Sequence, residues 1–188
     1  MKIFFDTEFT GLHKNTTLVS IGLVSEDNRQ FYAELIDYNE EQCDDWINEN
    51  VISYLYSKNR DKRQNVYVPN YHLAGKYEIA KVLENWLSQF DDIELVSDVC
   101  HYDMVLFADL FGGAFYMPQN VCACCYDINQ DIARVYNCSM REAFNMSRED
   151  ILKNYGKNNK IIGDKHNALY DAKVIRELYQ ALNNVRYE

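Results

Sequence analysis

The chain opens on an apolar run, Ile3-Phe4-Phe5, that continues through Asp6 and Glu8 to Phe9 before Gly11 interrupts it. Nearly continuous apolar character ahead of the acids predicts a central strand over residues 2–9, covered on both faces. Two further β-rich runs, Thr17 to Val24 and Gln30 to Ile36, are separated by the turn residues Glu26-Asp27-Asn28 and predict an antiparallel meander. The period then changes. Cys43, Ile47, Val51, Tyr54 and Leu55 recur at helical spacing between Glu40 and Tyr56, and the acids Glu40, Glu41, Asp44 and Asp45 gather where a helix dipole favours negative charge. Lys58 to Arg63 is a basic stretch in a predicted loop running to about Ala74. It reads as an ordinary solvated loop, with a nucleic-acid backbone contact as the alternative.

Ile79, Val82, Leu83, Trp86, Leu87 and Phe90 define an amphipathic helix, followed by a short strand from Ile93 to Ser97. Tyr102 to Phe111 is apolar almost all round and predicts a helix buried on several sides, with Asp103 in its first turn and Gly112-Gly113 at its end. A brief strand through Cys122-Ala123-Cys124-Cys125 precedes a helix from about Asp127 to Tyr136. Ser147-Arg148-Glu149-Asp150 resembles a capping box for a helix reaching Tyr155, and Gly156 to Gly163 is a polar, lysine-bearing loop. A last helix from about Asn167 to Val185 buries Ala168, Ala172, Ile175, Tyr179 and Leu182. This order predicts a single α/β domain over residues 1–188, a mixed sheet flanked by helices with the first strand central.

Composition narrows the function. No run reaches the roughly 18 apolar residues that a membrane span needs. The opening apolar run meets Asp6 too soon to be a secretory signal, so the six cysteines read as free thiols in a reducing cytoplasm. Cys122, Cys124 and Cys125 lack the paired Cys-x-x-Cys spacing of a zinc site and read as small buried residues on a strand. Nineteen basic against 29 acidic side chains give a net charge of −10, opposite in sign to a protein that wraps a long duplex. Any nucleic-acid contact should be short, local and metal-assisted.

The acids carry the candidate chemistry. Strand alternation points Asp6 and Glu8 to the same side, where two like charges call for a hard divalent cation between them. Asp103 alone reads as a helix-dipole acid. Asp171 lies beside a stripe that should be buried, where a carboxylate costs several kcal/mol unless it is paired or binds metal.

Asp6-Thr7-Glu8-Phe9-Thr10-Gly11-Leu12 resembles the first motif of the DnaQ-like 3′→5′ exonucleases, the family of RNase T and oligoribonuclease. Ser97 to Asp103 resembles their second motif, an aromatic residue before an Asp at a helix start, and His166 to Ala172 resembles the third. A His five residues before the last Asp implies the DEDDh subgroup; the sister subgroup has a Tyr where this chain has Asn167. The resemblance implies a ribonuclease H-like mixed central sheet flanked by helices. It also implies a site for two Mg²⁺ ions, with Mn²⁺ possible, in which Asp6, Glu8 and Asp171 hold one ion and Asp6 the other. Asp103 completes the site directly or through water, and His166 acts as general base. Phe9, Thr10 and Leu12 are expected to seat the terminal base and sugar, with core packing the alternative for Phe9 and Leu12. Phe9 stands where Thr is commoner, a variant resembling compact stand-alone exoribonucleases of bacteria and phages. Asp98 competes with Asp103 for the third carboxylate, and Asp103 is preferred for its match to the aromatic-Asp pattern. Lys153, Lys157, Lys160 and Lys165 form a basic strip beside His166. The expected substrate is a single-stranded 3′ end, RNA or a short oligonucleotide in preference to DNA, with release of nucleoside 5′-monophosphates. A DNA proofreading or trimming exonuclease and a non-catalytic end-binding module are the alternatives; the oligomeric state is open, with a homodimer the option that the resemblance suggests.

Overall fold

A computed structural model describes residues 1–59, 68–156 and 161–184. Three strands come first, β1 (Lys2–Phe9), β2 (Leu18–Ser25) and β3 (Gln30–Leu35). Short helices α1 (Asp45–Asn50) and α2 (Tyr56–Asn59) lead to β4 (Tyr71–Ala74) and α3 (Lys76–Leu87). The rest alternates: β5 (Ile93–Ser97), α4 (Cys100–Leu110), β6 (Val121–Asp127), then α5 (Asn129–Tyr136), α6 (Met140–Asn145), α7 (Arg148–Asn154) and α8 (Ala168–Asn184).

The six strands form one mixed sheet in the order β4-β3-β2-β1-β5-β6. β1, β2 and β3 pair antiparallel as the meander requires, and β1–β5, β5–β6 and β3–β4 are parallel. β1 is therefore interior, which its apolar run demands. Its ladder to β2 runs the length of the strand, with a bulge between Glu8 and Phe9, whereas its ladder to β5 covers only Lys2 to Phe4. Beyond Phe4 the two parallel strands part, and the cleft opens there.

Alternation along β1 sorts the molecule into two layers. Ile3 and Phe5 pack with Leu83 and Leu87 of α3 and Phe107 of α4 on one face, while Phe4 packs with Ile175 and Leu178 of α8 and Ile132 of α5 on the other. Asp6 and Glu8 share the parity of Phe4 and so fall on the α8 face. Helix α8 rests directly on β2 at Gly22, the residue opposite Asp6 in the ladder. A Cβ there would lie 2.3 Å from Leu169 N and 2.4 Å from Ala168 C, so only a residue without a side chain permits that approach.

Three elements differ from expectation. The helix expected from Glu40 to Tyr56 is broken into a 3-10 turn at Glu40–Gln42, α1, a second 3-10 turn at Ile52–Tyr54 and α2. Asp44 starts α1 afresh by accepting the Ile47 amide at 2.8 Å, a side-chain cap that competes with a continuous helix. β4 lies in the expected loop, a half-buried edge strand too short to show alternation. Helix α6, absent from the expected order, follows a full capping box of Ser139 with Glu142 and is too short to show a helical stripe. Cys122 to Cys125 are on a strand as expected, but Cys122 and Cys124 are exposed because β6 is the sheet edge. The basic stretch beyond Asn59, and Lys157 and Lys160, lie outside the described residues. No helix among the described residues is long and apolar enough to cross a membrane.

Candidate active site

Where β1 and β5 part, four acids from three elements converge. Carboxylate oxygens of Asp6, Glu8 and Asp171 lie within 4.8 Å of one another, and those of Asp6, Asp98 and Asp103 form a second such set. Asp6 and Glu8 come from β1, Asp103 from the first turn of α4 and Asp171 from the first turn of α8. A cleft of about 840 Å³ lies over them.

Asp103 is 1% exposed and takes over the hydrogen bonding that β5 no longer supplies. It accepts from the Thr7 amide at 3.2 Å, from the Thr7 hydroxyl at 2.6 Å and from the Ser97 hydroxyl. Asp171 accepts the His166 amide at 2.8 Å. These bonds do not offset the burial of so much negative charge. Burial, followed by repulsion from Asp103, Glu8 and Asp171, holds the Asp6 carboxyl well above the usual range, and burial with Asp171 and Asp103 does the same for Glu8. Burial raises Asp103 to about 7, opposed by its bonds from Ser97 and Thr7. Burial and the charge of Asp98 raise Asp171 to about 8. An all-oxygen donor set short of positive charge fits one or two hard divalent cations, which would replace the retained protons.

His166 precedes α8 in a left-handed backbone conformation, φ 63°, uncommon for a residue with a side chain. Its ring lies 5.3 Å from the Trp46 ring in an edge-on arrangement, at the border of the cleft. Burial, with help from Lys165, lowers its pKa below the usual imidazole value, which keeps it neutral and able to accept a proton at neutral pH.

Asp98 is brought beside Asp6 and Asp103, but its charge is met from outside. Arg148 Nε donates to Asp98 Oδ2 at 3.0 Å. The rest of that guanidinium donates to Asn129 Oδ1 at 2.6 Å and to the carbonyls of Ala143, Phe144 and Met146 at 3.0, 3.2 and 2.6 Å. Arg148 thus ties the α6–α7 wall of the cleft to the acidic floor. In the sequence Arg148 is only the residue after a helix cap, and a lone Arg at a helix start carries no sign of its partners.

The remaining expected residues separate. Phe9 lines the cleft and stacks on Tyr102, ring centres 5.2 Å apart at 13°. Leu12 also lines it and is 75% exposed. Thr10 does not: it is 1% exposed, donates to Gln42 Oε1 at 2.6 Å and accepts the Thr17 amide at 2.9 Å, so it fastens the end of β1 to neighbouring backbone. Of the lysine strip, Lys165 lines the cleft, while Lys153 pairs with Asp150 on the exposed face of α7.

The family model of the Rv2179c-like 3′-5′ exoribonuclease domain matches residues 1–182. The 3′-5′ exoribonuclease Rv2179c of Mycobacterium tuberculosis is 31% identical over 124 residues, which span 64% of this chain and 67% of that protein. Among solved structures, the nuclease domain of 3′hExo, a DEDDh family member bound to rAMP, superposes with TM-score 0.62 at 13% identity, covering 98% of this chain and 91% of that one. S. pombe Pop2p in its Mg²⁺- and Mn²⁺-bound form gives 0.60 at 16% identity, covering 99% and 83%. The shared fold is the ribonuclease H-like mixed sheet flanked by helices.

Proposed function

The chain belongs to the Rv2179c-like 3′-5′ exoribonuclease domain family, and from that membership we propose that it trims single-stranded RNA, releasing nucleoside 5′-monophosphates from the 3′ end. Residues 1–188 are read as one exonuclease domain. The observation that carries the residue assignment is the convergence of Asp6, Glu8, Asp103 and Asp171 under one cleft, with His166 at its border.

Asp6, Glu8 and Asp171 would hold one Mg²⁺, and Asp6 with Asp103 a second; Mn²⁺ is the alternative ion, and the Pop2p neighbour was solved with both. Bound there, divalent cations supply positive charge to the attacking and leaving oxygens of an in-line phosphoryl displacement. His166 accepts the proton of the attacking water, and its lowered basicity leaves it unprotonated and ready at neutral pH. Phe9 and Leu12 offer apolar surface to the terminal base and sugar. Asp98 stays paired to Arg148 and outside the ligand set.

The test is hydrolysis of a 5′-labelled single strand with Mg²⁺ or Mn²⁺, beside Asp6→Ala and His166→Ala. Product shortened from the 3′ end is expected from the wild type, with both variants severely impaired. Equal rates for wild type and His166→Ala would remove His166 as the base. RNA and DNA strands of equal sequence separate exoribonuclease from DNA exonuclease, and failure on both with either ion would leave an end-binding module.

A further inference from the structure

A second acidic centre lies away from the metal-type cluster. Glu34 on β3 is fully buried, and four donors converge on it: Tyr32 Oη at 2.7 Å, Tyr71 Oη at 2.9 Å, the Ser57 amide at 3.0 Å and the Tyr56 amide. Tyr32 Oη is in turn 3.0 Å from Asn167 Nδ2. Asn167 lies between His166 and the first residue of α8.

We propose that Glu34, Tyr32 and Asn167 form a buried positioning chain that fixes the backbone turn carrying His166. It rests on the assignment of His166 as general base.

The direction of the chain follows from what each group can do. Two of the four groups on the Glu34 carboxyl are backbone amides that can only donate, so its oxygens act as acceptors and the Tyr32 hydroxyl proton is directed to Glu34. Burial raises the Tyr32 pKa, so that proton is retained. The phenolic oxygen can then only accept from Asn167, which turns the amide so that Nδ2 faces Tyr32 and Oδ1 faces away. Oδ1 meets the Tyr170 amide at 3.3 Å and caps α8, and the Asn167 carbonyl accepts the Asp171 amide at 3.0 Å. One orientation of one amide therefore sets the start of the helix that holds Asp171. His166, adjacent and left-handed, depends on that turn for a conformation it would not hold alone. Without the acceptor at Glu34, the Tyr32 hydroxyl and the Asn167 amide could each reverse.

The experiment compares Tyr32→Phe, which keeps the ring and removes the link, in wild-type and His166→Ala backgrounds, with thermal melting alongside. In the wild-type background kcat should fall about tenfold or more at saturating metal, because loss of sub-ångström alignment costs rate, while KM for the oligonucleotide stays within about twofold. In the His166→Ala background Tyr32→Phe should cost no more than about twofold further, the remainder passing through the start of α8 that carries Asp171. Asn167→Ser removes the link to Tyr32 while keeping a capping oxygen for α8, and should reproduce the pattern if Tyr32→Phe folds poorly. An unchanged kcat, an effect on KM alone, or an equal loss with and without His166 would overturn the proposal. Indifference of the enzyme to His166→Ala itself would instead remove the base assignment.

Discussion

Gly22→Ala tests how tightly the site is tied to the helix above it. The new methyl group would meet Leu169 N at 2.3 Å and Ala168 C and O at 2.4 Å, all backbone atoms that cannot rotate away. Carbon contacts need about 3.5 Å, so α8 must rise, or β2 sink, by about 1 Å. Sinking is resisted because Ile21 and Leu23, the neighbours of Gly22, are packed into the α3–α4 core. The lower unfolded-state entropy of Ala favours the variant by about 0.4–1 kcal/mol, but overpacking of this kind costs about 1–3 kcal/mol and decides the sign. Each kcal/mol lowers the melting temperature by about 2–4 °C at this chain length. The larger effect is on function. Asp171 rides on the first turn of α8 while Asp6 lies opposite Gly22, so the lift separates ligands that must close on the same ion. A displacement of about 1 Å is expected to cost about 10²-fold in kcat/KM. Hydrolysis of a 5′-labelled RNA strand, calorimetric titration with Mn²⁺ and thermal melting measure the three consequences. Wild-type kcat/KM together with wild-type Mn²⁺ affinity would refute the argument.

Three further outcomes follow from the site and its supports. The raised pKa values of Asp6, Glu8, Asp103 and Asp171 mean that the metal-free folded chain retains protons its unfolded form has released. Metal-free stability should therefore decline as pH rises from about 4, the unfolded carboxylate range, through 7 and 8, and Mg²⁺ should raise the melting temperature more at pH 8 than at pH 6. An equal or larger gain at pH 6 would contradict this. Arg148→Met leaves the half-buried Asp98 without its cation and strips three carbonyls and Asn129 of their donor, and should cost about 2–4 kcal/mol in urea unfolding, with Arg148→Met/Asp98→Asn costing less than the sum of the single changes. Thr10→Val should lower stability by about 1–3 kcal/mol through its lost bonds to Gln42 and Thr17, yet leave KM for the oligonucleotide unchanged; a raised KM would return Thr10 to the substrate surface.

Part of the floor of the site was legible because its rules are local; Asp103, a helix-dipole acid by position alone, stood out only through the motif resemblance. Alternation alone put Asp6 and Glu8 on one face, and the helical stripe around Ala168 and Ala172 put Asp171 under cover. The meander, the interior position of β1 and the long terminal helix followed from the same periodicities. What escaped depends on partners far apart in the chain. Arg148 and Asp98 are separated by 50 positions and Tyr32 and Asn167 by 135, and no spacing rule joins them. Thr10 looked like a motif residue facing substrate, but the bulge at Glu8 and Phe9 and the nearby turn at Glu40–Gln42 enclose it. The broken α1–α2 segment misled because apolar spacing reports burial, which successive short turns satisfy as well as one helix does.

The early end of the β1–β5 ladder leaves the Thr7 amide without a strand partner and gives it to the carboxylate of Asp103. An interior amide in a sheet ordinarily exchanges with solvent deuterium only when the whole domain opens. This one is sheltered by a side chain that a bound cation would also claim. Its exchange rate therefore reports on the Asp103 carboxylate: slow while the carboxylate accepts from the strand, faster in any state that draws it away. The hold of that carboxylate on the strand can then be followed from a single backbone proton, in the absence of substrate and of turnover.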